Sequence, residues 1–360
     1  MLNSLLTHLS QVAPETADIP ILQPADPFLD TAGEDLRRRI FITEAADGSL
    51  NCLRPDFTIP ICQQHIEGDA KQARYAYGGT VFRQGREGAV EFQQAGLEDL
   101  GMADSIAADV ACLADMIDGL ERCGVSDFRI TLGDQQLFAA VVKALELPVA
   151  QAERLERNFG APDVLSDLIA SYENGTTRKN GDDQMGALAS AGDEAGLIAM
   201  IEAKMQQAGL SPKAGRSPQD IAHRMIAKAA ESHFQLSADR AAILRTYLAL
   251  ETPLLQAEEA LIEFAGETGI DFGDALTAFA ARNEGVGGRG VALENFTFRA
   301  SFGRKLDYYT GVLFEAYGGS GDVLAGGGRY DRLCTILGAD QPVPAVGFSI
   351  MIDRVEEALK

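Results

Sequence analysis

The chain is predicted to be an α+β protein, an antiparallel sheet flanked by helices and interrupted by a helical insertion. Three observations carry that prediction. Runs rich in aromatic and β-branched residues lie towards both ends, at Tyr75–Arg83, Ala89–Leu97, Phe128–Leu132, Ala292–Phe302 and Val312–Tyr317. From about Val149 to about Arg282 such runs vanish. Alanine-rich patterns at helical spacing replace them, as in Ala241, Leu244, Leu248 and Leu254, Ala257, Leu261, Phe264. Strands with helices between and beside them make an antiparallel α+β sheet. The expected divisions are residues 1–148 and 283–360 for the sheet domain and 149–282 for the insertion.

Each element has a local reason. Pro20, Pro24 and Pro27 prevent a continuing helix, so the N-terminal stretch reads as extended with turns. Asp47-Gly48 between Ile40–Ile42 and Leu50–Leu53 signals a hairpin. Pro60–Ile66 reads as helical, and the two strands after it are joined by the polar loop 84–88. Ile106, Val110, Leu113, Ile117 and Leu120 repeat as one helical face, closed by Gly124. Asp134 is placed to cap a helix running through Leu145. Asn174–Gly186 reads as a polar loop within the insertion, and glycine-rich Gly285–Gly290 closes it. A third strand follows the Gly318–Gly321 turn, and Ile350–Leu359 reads as an amphipathic helix.

Composition narrows the function. The 360 residues allow two domains or one large one, and a 46% hydrophobic share with 23% charged residues is that of a folded soluble chain. Apolar runs such as Ala257–Phe264 fall far short of the roughly 20 residues that span a bilayer. The start carries no basic n-region of a secretory signal, and five cysteines without a CxxC pair argue against a disulfide framework. A reducing cytoplasm is the expected location. A net charge of −22 repels phosphate backbones, so nucleic acid is disfavoured. The run Arg37-Arg38-Arg39 reads as one turn of a solvated helix. Four histidines (His8, His65, His223, His233) lack zinc-ligand company, so no metal is expected.

A pocket for a free α-amino acid needs acceptors for the ammonium and an arginine or backbone donors for the carboxylate. An imidazole side chain adds a need for an acceptor and a hydroxyl or aromatic neighbour. Asp56, Thr58, Gln94, Glu98, Arg304 and Tyr309 supply that inventory. Gln94 and Glu98 stand at even spacing in a strand, hence on one face of the sheet. Gly326-Gly327-Gly328 lets backbone approach a ligand closely, although no Walker A sequence follows it.

Four blocks raise this inventory to a resemblance. They are Leu53–Thr58; Gly79–Arg83 running on to Gln94–Glu98; Arg304–Gly311 with Gly326–Asp331; and Gly347-Phe348 through Asp353-Arg354. In this order they resemble the catalytic domain of histidyl-tRNA synthetase, a class II aminoacyl-tRNA synthetase fold, over most of the chain outside the helical insertion, from roughly residue 20 to 358. The resemblance implies that Asp56, Thr58 and Gln94 hold a histidine ammonium. It implies Glu98 and Tyr309 as imidazole partners, Arg304 facing the carboxylate, and Tyr308 in the same histidine-binding set. Arg83 and Arg354 match the arginines that clamp ATP in that family and read here as a vestigial nucleotide site.

The departures are informative. Gly85 stands where the family has a glutamate, and the loop from Arg83 to Gln94 is shorter. Met351 replaces a glycine beside the nucleotide. Asp56, Phe57 and Lys305 replace a glutamate and two glycines. The amino-acid half of the pocket is kept while the adenylation half is impaired, and Lys360 falls where the synthetase's anticodon-binding domain would begin. With these features the chain resembles the regulatory subunits of ATP phosphoribosyltransferase, the first enzyme of histidine biosynthesis. That implies a non-catalytic protein with no cofactor and L-histidine as allosteric ligand. Its partner would be a short-form catalytic subunit, met as a homodimer within a hetero-octamer, without tRNA or membrane. The competing expectation is a synthetase-like ligase that adenylates histidine or another amino acid.

Overall fold

The computed structural model describes all residues except 32–33, 69, 86–89, 176–183, 208–216, 232–233 and 304–307. Twelve strands are present among the described residues: β1 (Glu15–Thr16), β2 (Leu22–Pro24), β3 (Ile42–Glu44), β4 (Leu50–Leu53), β5 (Ala73–Phe82) and β6 (Glu91–Leu100), then β7 (Phe128–Asp134), β8 (Glu251–Pro253), β9 (Phe296–Arg299), β10 (Val312–Gly318), β11 (Val323–Arg329) and β12 (Ala345–Met351). Nine of them form one sheet in the order β1-β5-β6-β12-β11-β10-β7-β9-β8. Its interior ladders from β5 to β7 are antiparallel, as expected, whereas β1–β5 and β7–β9 run parallel. The order β2-β4-β3 makes a second, small sheet.

The helices are α1 (Leu2–Val12), α2 (Asp26–Thr31), α3 (Glu34–Arg37), α4 (Thr58–Glu67), α5 (Ser105–Arg122) and α6 (Gln135–Ala144) in the first part of the chain. There follow α7 (Val149–Arg157), α8 (Pro162–Glu173), α9 (Gln184–Ala191), α10 (Glu194–Gln207), α11 (Pro218–Glu231) and α12 (Ala238–Leu248). The rest are α13 (Leu254–Thr268), α14 (Asp274–Gly288), α15 (Leu333–Ile336) and α16 (Ile352–Ala358).

The local signals act as their chemistry dictates. Asp47 accepts the Ser49 amide at 3.0 Å while Gly48 takes φ 84°, closing the β3–β4 hairpin. Asp104 caps α5 through the Ala107 amide at 2.9 Å, and Gly124 leaves that helix at φ 92°. Asp134 caps α6 through the Gln136 amide at 2.8 Å. Strands β5 and β6 pair from Ala73↔Leu100 to Phe82↔Glu91, and part of their connecting loop (86–89) lies outside the described residues. The same holds for residues 176–183 of the polar loop expected at Asn174–Gly186.

Four expectations differ from the structure. Helix α1 precedes the prolines, burying Leu5 and Leu9 one turn apart. The final helix starts at Ile352, because Ile350 and Met351 belong to strand β12. The helical unit comprises Leu145–Leu155 and Asp163–Arg245, not 149–282, and β8, α13 and α14 belong to the sheet unit. Helical periodicity reports that a segment is a helix and is silent on what it packs against. Finally, Gly285–Gly288 continues α14 instead of forming a closing loop. There a Cβ on Gly285 would stand 2.7 Å from Val110 Cγ2 of α5, so the glycine permits a close helix crossing. Gly285→Val is expected to destabilise the protein by about 1–3 kcal/mol through overpacking. An unchanged thermal midpoint would show that the two helices separate at no cost.

Cross-strand register decides which side chains meet, since paired residues share a face of the sheet. On one face Glu98 faces Gly347, which faces Gly328; Gly96 faces Ser349, then Gly326, then Glu315; and Gln94 faces Met351. Leu97, Phe348, Gly327 and Phe314 align on the other face. Ile350 lies on that second side, its Cδ1 within 2.8 Å of where a Gly119 Cβ of α5 would be. The first face therefore bears glycines in the middle of three strands and acids around them.

Candidate functional site

Above the glycine-bearing face lies a cavity of about 340 Å³, a size suited to a small metabolite. Its floor is laid by Gln94 and Glu98 of β6, Gly347, Ser349 and Met351 of β12, Gly326 and Gly327 of β11, and Glu315 of β10. The missing side chains are filled from above. Tyr77 lies over Gly96 and donates to the Phe348 carbonyl at 2.9 Å, and the Tyr309 ring lies 3.0 Å from where a Gly328 Cβ would stand. Asp56, Phe57 and Thr58 enter from the start of α4, with Phe57 stacked on Tyr77 at 4.7 Å and the Arg54 guanidinium over the Phe57 ring at 4.0 Å.

Glu98 is the most constrained group. It is 1% exposed, its Oε1 accepts from the Thr58 hydroxyl at 2.6 Å, and its Oε2 accepts from the Tyr330 hydroxyl. Gly347 is required beside it, because a Cβ there would collide with the carboxylate. Burial pushes the Glu98 carboxyl up to about 8, against the opposing pull of the Thr58 and Tyr330 hydroxyls. Asp56 is raised by burial too, with the Arg83 charge and the Ile59 and Thr58 amides working against that rise. Gln94 is 2% exposed and gives its Nε2 to Met351 Sδ at 3.2 Å.

Of the residues singled out from sequence, Asp56, Thr58, Gln94, Glu98, Tyr308, Tyr309 and Arg83 all line this one cavity. Arg304 lies outside the described residues. Arg354 is not among the lining residues: it is exposed on α16 and donates to the Val323 carbonyl at 3.0 Å. Arg83 donates from Nε to the Pro55 carbonyl at 2.8 Å and stands over the Phe92 ring. Sequence reasoning missed Tyr330, Glu315 and Arg39. Tyr330 sits in the Gly326–Asp331 block, and Glu315 follows from strand alternation once the register with Gly326 is known. Arg39, read as part of a solvated helical turn, follows α3 and lines the cavity while binding the Gln84 carbonyl at 2.8 Å. No local signal distinguishes it from Arg37 and Arg38.

The cavity thus presents three carboxylates, an amide and phenol hydroxyls around a glycine floor, with arginines at one side. It is chemistry for holding a small amine-bearing molecule. Among the described residues no group of three or more His, Cys, Asp or Glu could hold a metal, and no helix is long and apolar enough to cross a membrane.

The family model described as Histidyl-tRNA synthetase matches residues 3–203 and 194–355. A solved structure from Bacillus halodurans, described as an ATP phosphoribosyltransferase regulatory subunit/histidyl-tRNA synthetase, superposes with a TM-score of 0.67 at 23% identity, covering 99% of this chain and 78% of that one. Histidyl-tRNA synthetase from Nostoc sp. superposes at 0.63 with 15% identity, covering 99% and 70%. Sheet order, cavity and likeness define a histidyl-tRNA synthetase-like class II fold. Closer relatives narrow this. The ATP phosphoribosyltransferase regulatory subunit of Chelativorans sp. (strain BNC1) is 49% identical over 342 residues, 94% of this chain and 91% of that protein. That of Brucella anthropi is 45% identical over 359 residues, 98% and 96%. The chain belongs to the ATP phosphoribosyltransferase regulatory subunit family.

Proposed function

We propose that this protein is the regulatory subunit of an ATP phosphoribosyltransferase in histidine biosynthesis. It assembles with a short-form catalytic subunit, activates it, and carries feedback inhibition when L-histidine fills the cavity. The family membership supports the role. The observation that carries the ligand is Glu98, held by two hydroxyls at the foot of a cavity that Asp56, Gln94 and Tyr309 also line. An imidazole N–H finds its acceptor in Glu98, and the ammonium finds acceptors in Asp56 and Gln94.

Histidine inhibits only if it binds the low-activity arrangement of the complex better than the high-activity one, whatever its absolute affinity. The protein itself catalyses nothing in this reading: Met351 fills the floor where adenylation would need room for a nucleotide. It works in the cytoplasm as a homodimer within a hetero-octamer and uses neither tRNA nor cofactor. Histidine-dependent exchange of pyrophosphate into ATP at a synthetase-like rate would instead establish the ligase reading.

The test is partner turnover against histidine concentration, with assembly followed by sedimentation. Tyr309→Phe removes one hydroxyl, and the histidine concentration for half-inhibition is expected to rise about 2- to 10-fold, the weight of one hydrogen bond. Activation should persist, because it depends on docking and not on the ligand. If the variant assembles yet is inhibited at the wild-type concentration, the regulatory site lies elsewhere.

A further inference from the structure

We propose that Met351 is a positioning residue for amine recognition, holding the Gln94 side chain so that its carbonyl oxygen faces the ligand. The inference rests on the amino-acid reading of the cavity and adds the device that sets its polarity.

Gln94 on β6 and Met351 on β12 are direct cross-strand partners, so their side chains leave the sheet on the same face. Both are buried, at 2% and 9% exposure, and both line the cavity. The contact between them runs from Gln94 Nε2 to Met351 Sδ at 3.2 Å. A thioether accepts hydrogen bonds and donates none. The amide nitrogen therefore faces the sulfur, and turning the amide over would set oxygen against sulfur. With the nitrogen anchored, Gln94 Oε1 is left to the cavity, where no donor among the described residues engages it. Asp56 lines the same space, so an oxygen there joins it in a pair of acceptors suited to an ammonium group. A glycine or leucine at 351 would leave the amide free to present either end. The methionine thus fills space at the floor and also decides which end of Gln94 the ligand meets.

Calorimetry with histidine and with imidazolepropionate, which is histidine without its amine, separates this role from packing. Met351→Leu keeps the volume and removes the acceptor. It is expected to weaken histidine about 3- to 10-fold, the range of a single hydrogen bond, and to leave imidazolepropionate within about twofold. In a Gln94→Ala background the same substitution should have no further effect on histidine. Equal weakening of both ligands, or full additivity with Gln94→Ala, would overturn the proposal and leave Met351 as filler. A wild-type protein that binds no histidine would instead sink the histidine reading. The same ratio is then measured for the other amino acids against their deaminated counterparts, and absence of any amine preference there overturns this inference as well.

Discussion

Replacing Asp109 with alanine is expected to cost about 3–5 kcal/mol of stability, a large share of the roughly 5–15 kcal/mol that keeps a domain folded. Asp109 on α5 accepts Arg329 Nε at 2.9 Å and Nη2 at 2.6 Å on one oxygen, and Arg282 Nε at 3.1 Å on the other. Arg282 of α14 reaches on to Asp134 of β7 at 2.9 Å, and Arg329 of β11 to Asp331 at 2.8 Å. The side chains of Asp109, Arg282, Arg329 and Asp134 are all 3% exposed or less. Deleting Asp109 leaves two guanidinium groups in a dry interior with too few acceptors, and that desolvation dominates over any packing loss. Urea unfolding of the purified protein measures it. A loss below about 1 kcal/mol would mean that water reaches the network and screens it.

The second large effect concerns Glu98 and pH. Its carboxyl sits at about 8 in the folded protein against an ordinary value of 4.5. A raised carboxyl pKa means that the folded state holds its proton more tightly than the unfolded chain does. The stability from this group is fully present below 4.5 and is lost as pH rises through about 8. Ligand-free protein at neutral pH therefore holds Glu98 largely protonated. An imidazole N–H and a nearby ammonium favour the carboxylate, so histidine binding must expel a proton near pH 7. Affinity is expected to rise from about pH 6 to about pH 8, and the binding heat to depend on the buffer's ionisation enthalpy. Glu98→Gln should weaken histidine by about 1.5–3 kcal/mol, the weight of a charge-assisted hydrogen bond, and abolish the buffer dependence. Buffer-dependent heat that survives in Glu98→Gln would assign the proton to another group.

Much of the site was legible in the chain because its signals are local. The alternation of β6 put Gln94 and Glu98 on one face before any partner strand was known. Gly124, Asp134 and Asp47-Gly48 announced a helix end, a helix start and a hairpin through side-chain oxygens and left-handed glycines, interactions that span only a few residues. Sequence alone therefore determined the α+β class and the paired strands β5 and β6, while β12 at the middle of the sheet and Glu315 in the cavity escaped it.

Other features were invisible for a physical reason. Asp109 meets an arginine at position 282 and another at 329 only after three elements have packed together, and nothing in the neighbourhood of any of them marks the encounter. Periodicity identified α13 and α14 as helices but could not assign them to the sheet unit, because an apolar stripe specifies burial and not its partner. Tertiary structure likewise decided that glycines of β6, β11 and β12 fall on one face and open a cavity. It decided too that Met351 meets Gln94 and that Tyr330 reaches Glu98. Local sequence encodes the period of an element, whereas the register between distant strands sets which side chains share a face, and that register exists only in the assembled sheet.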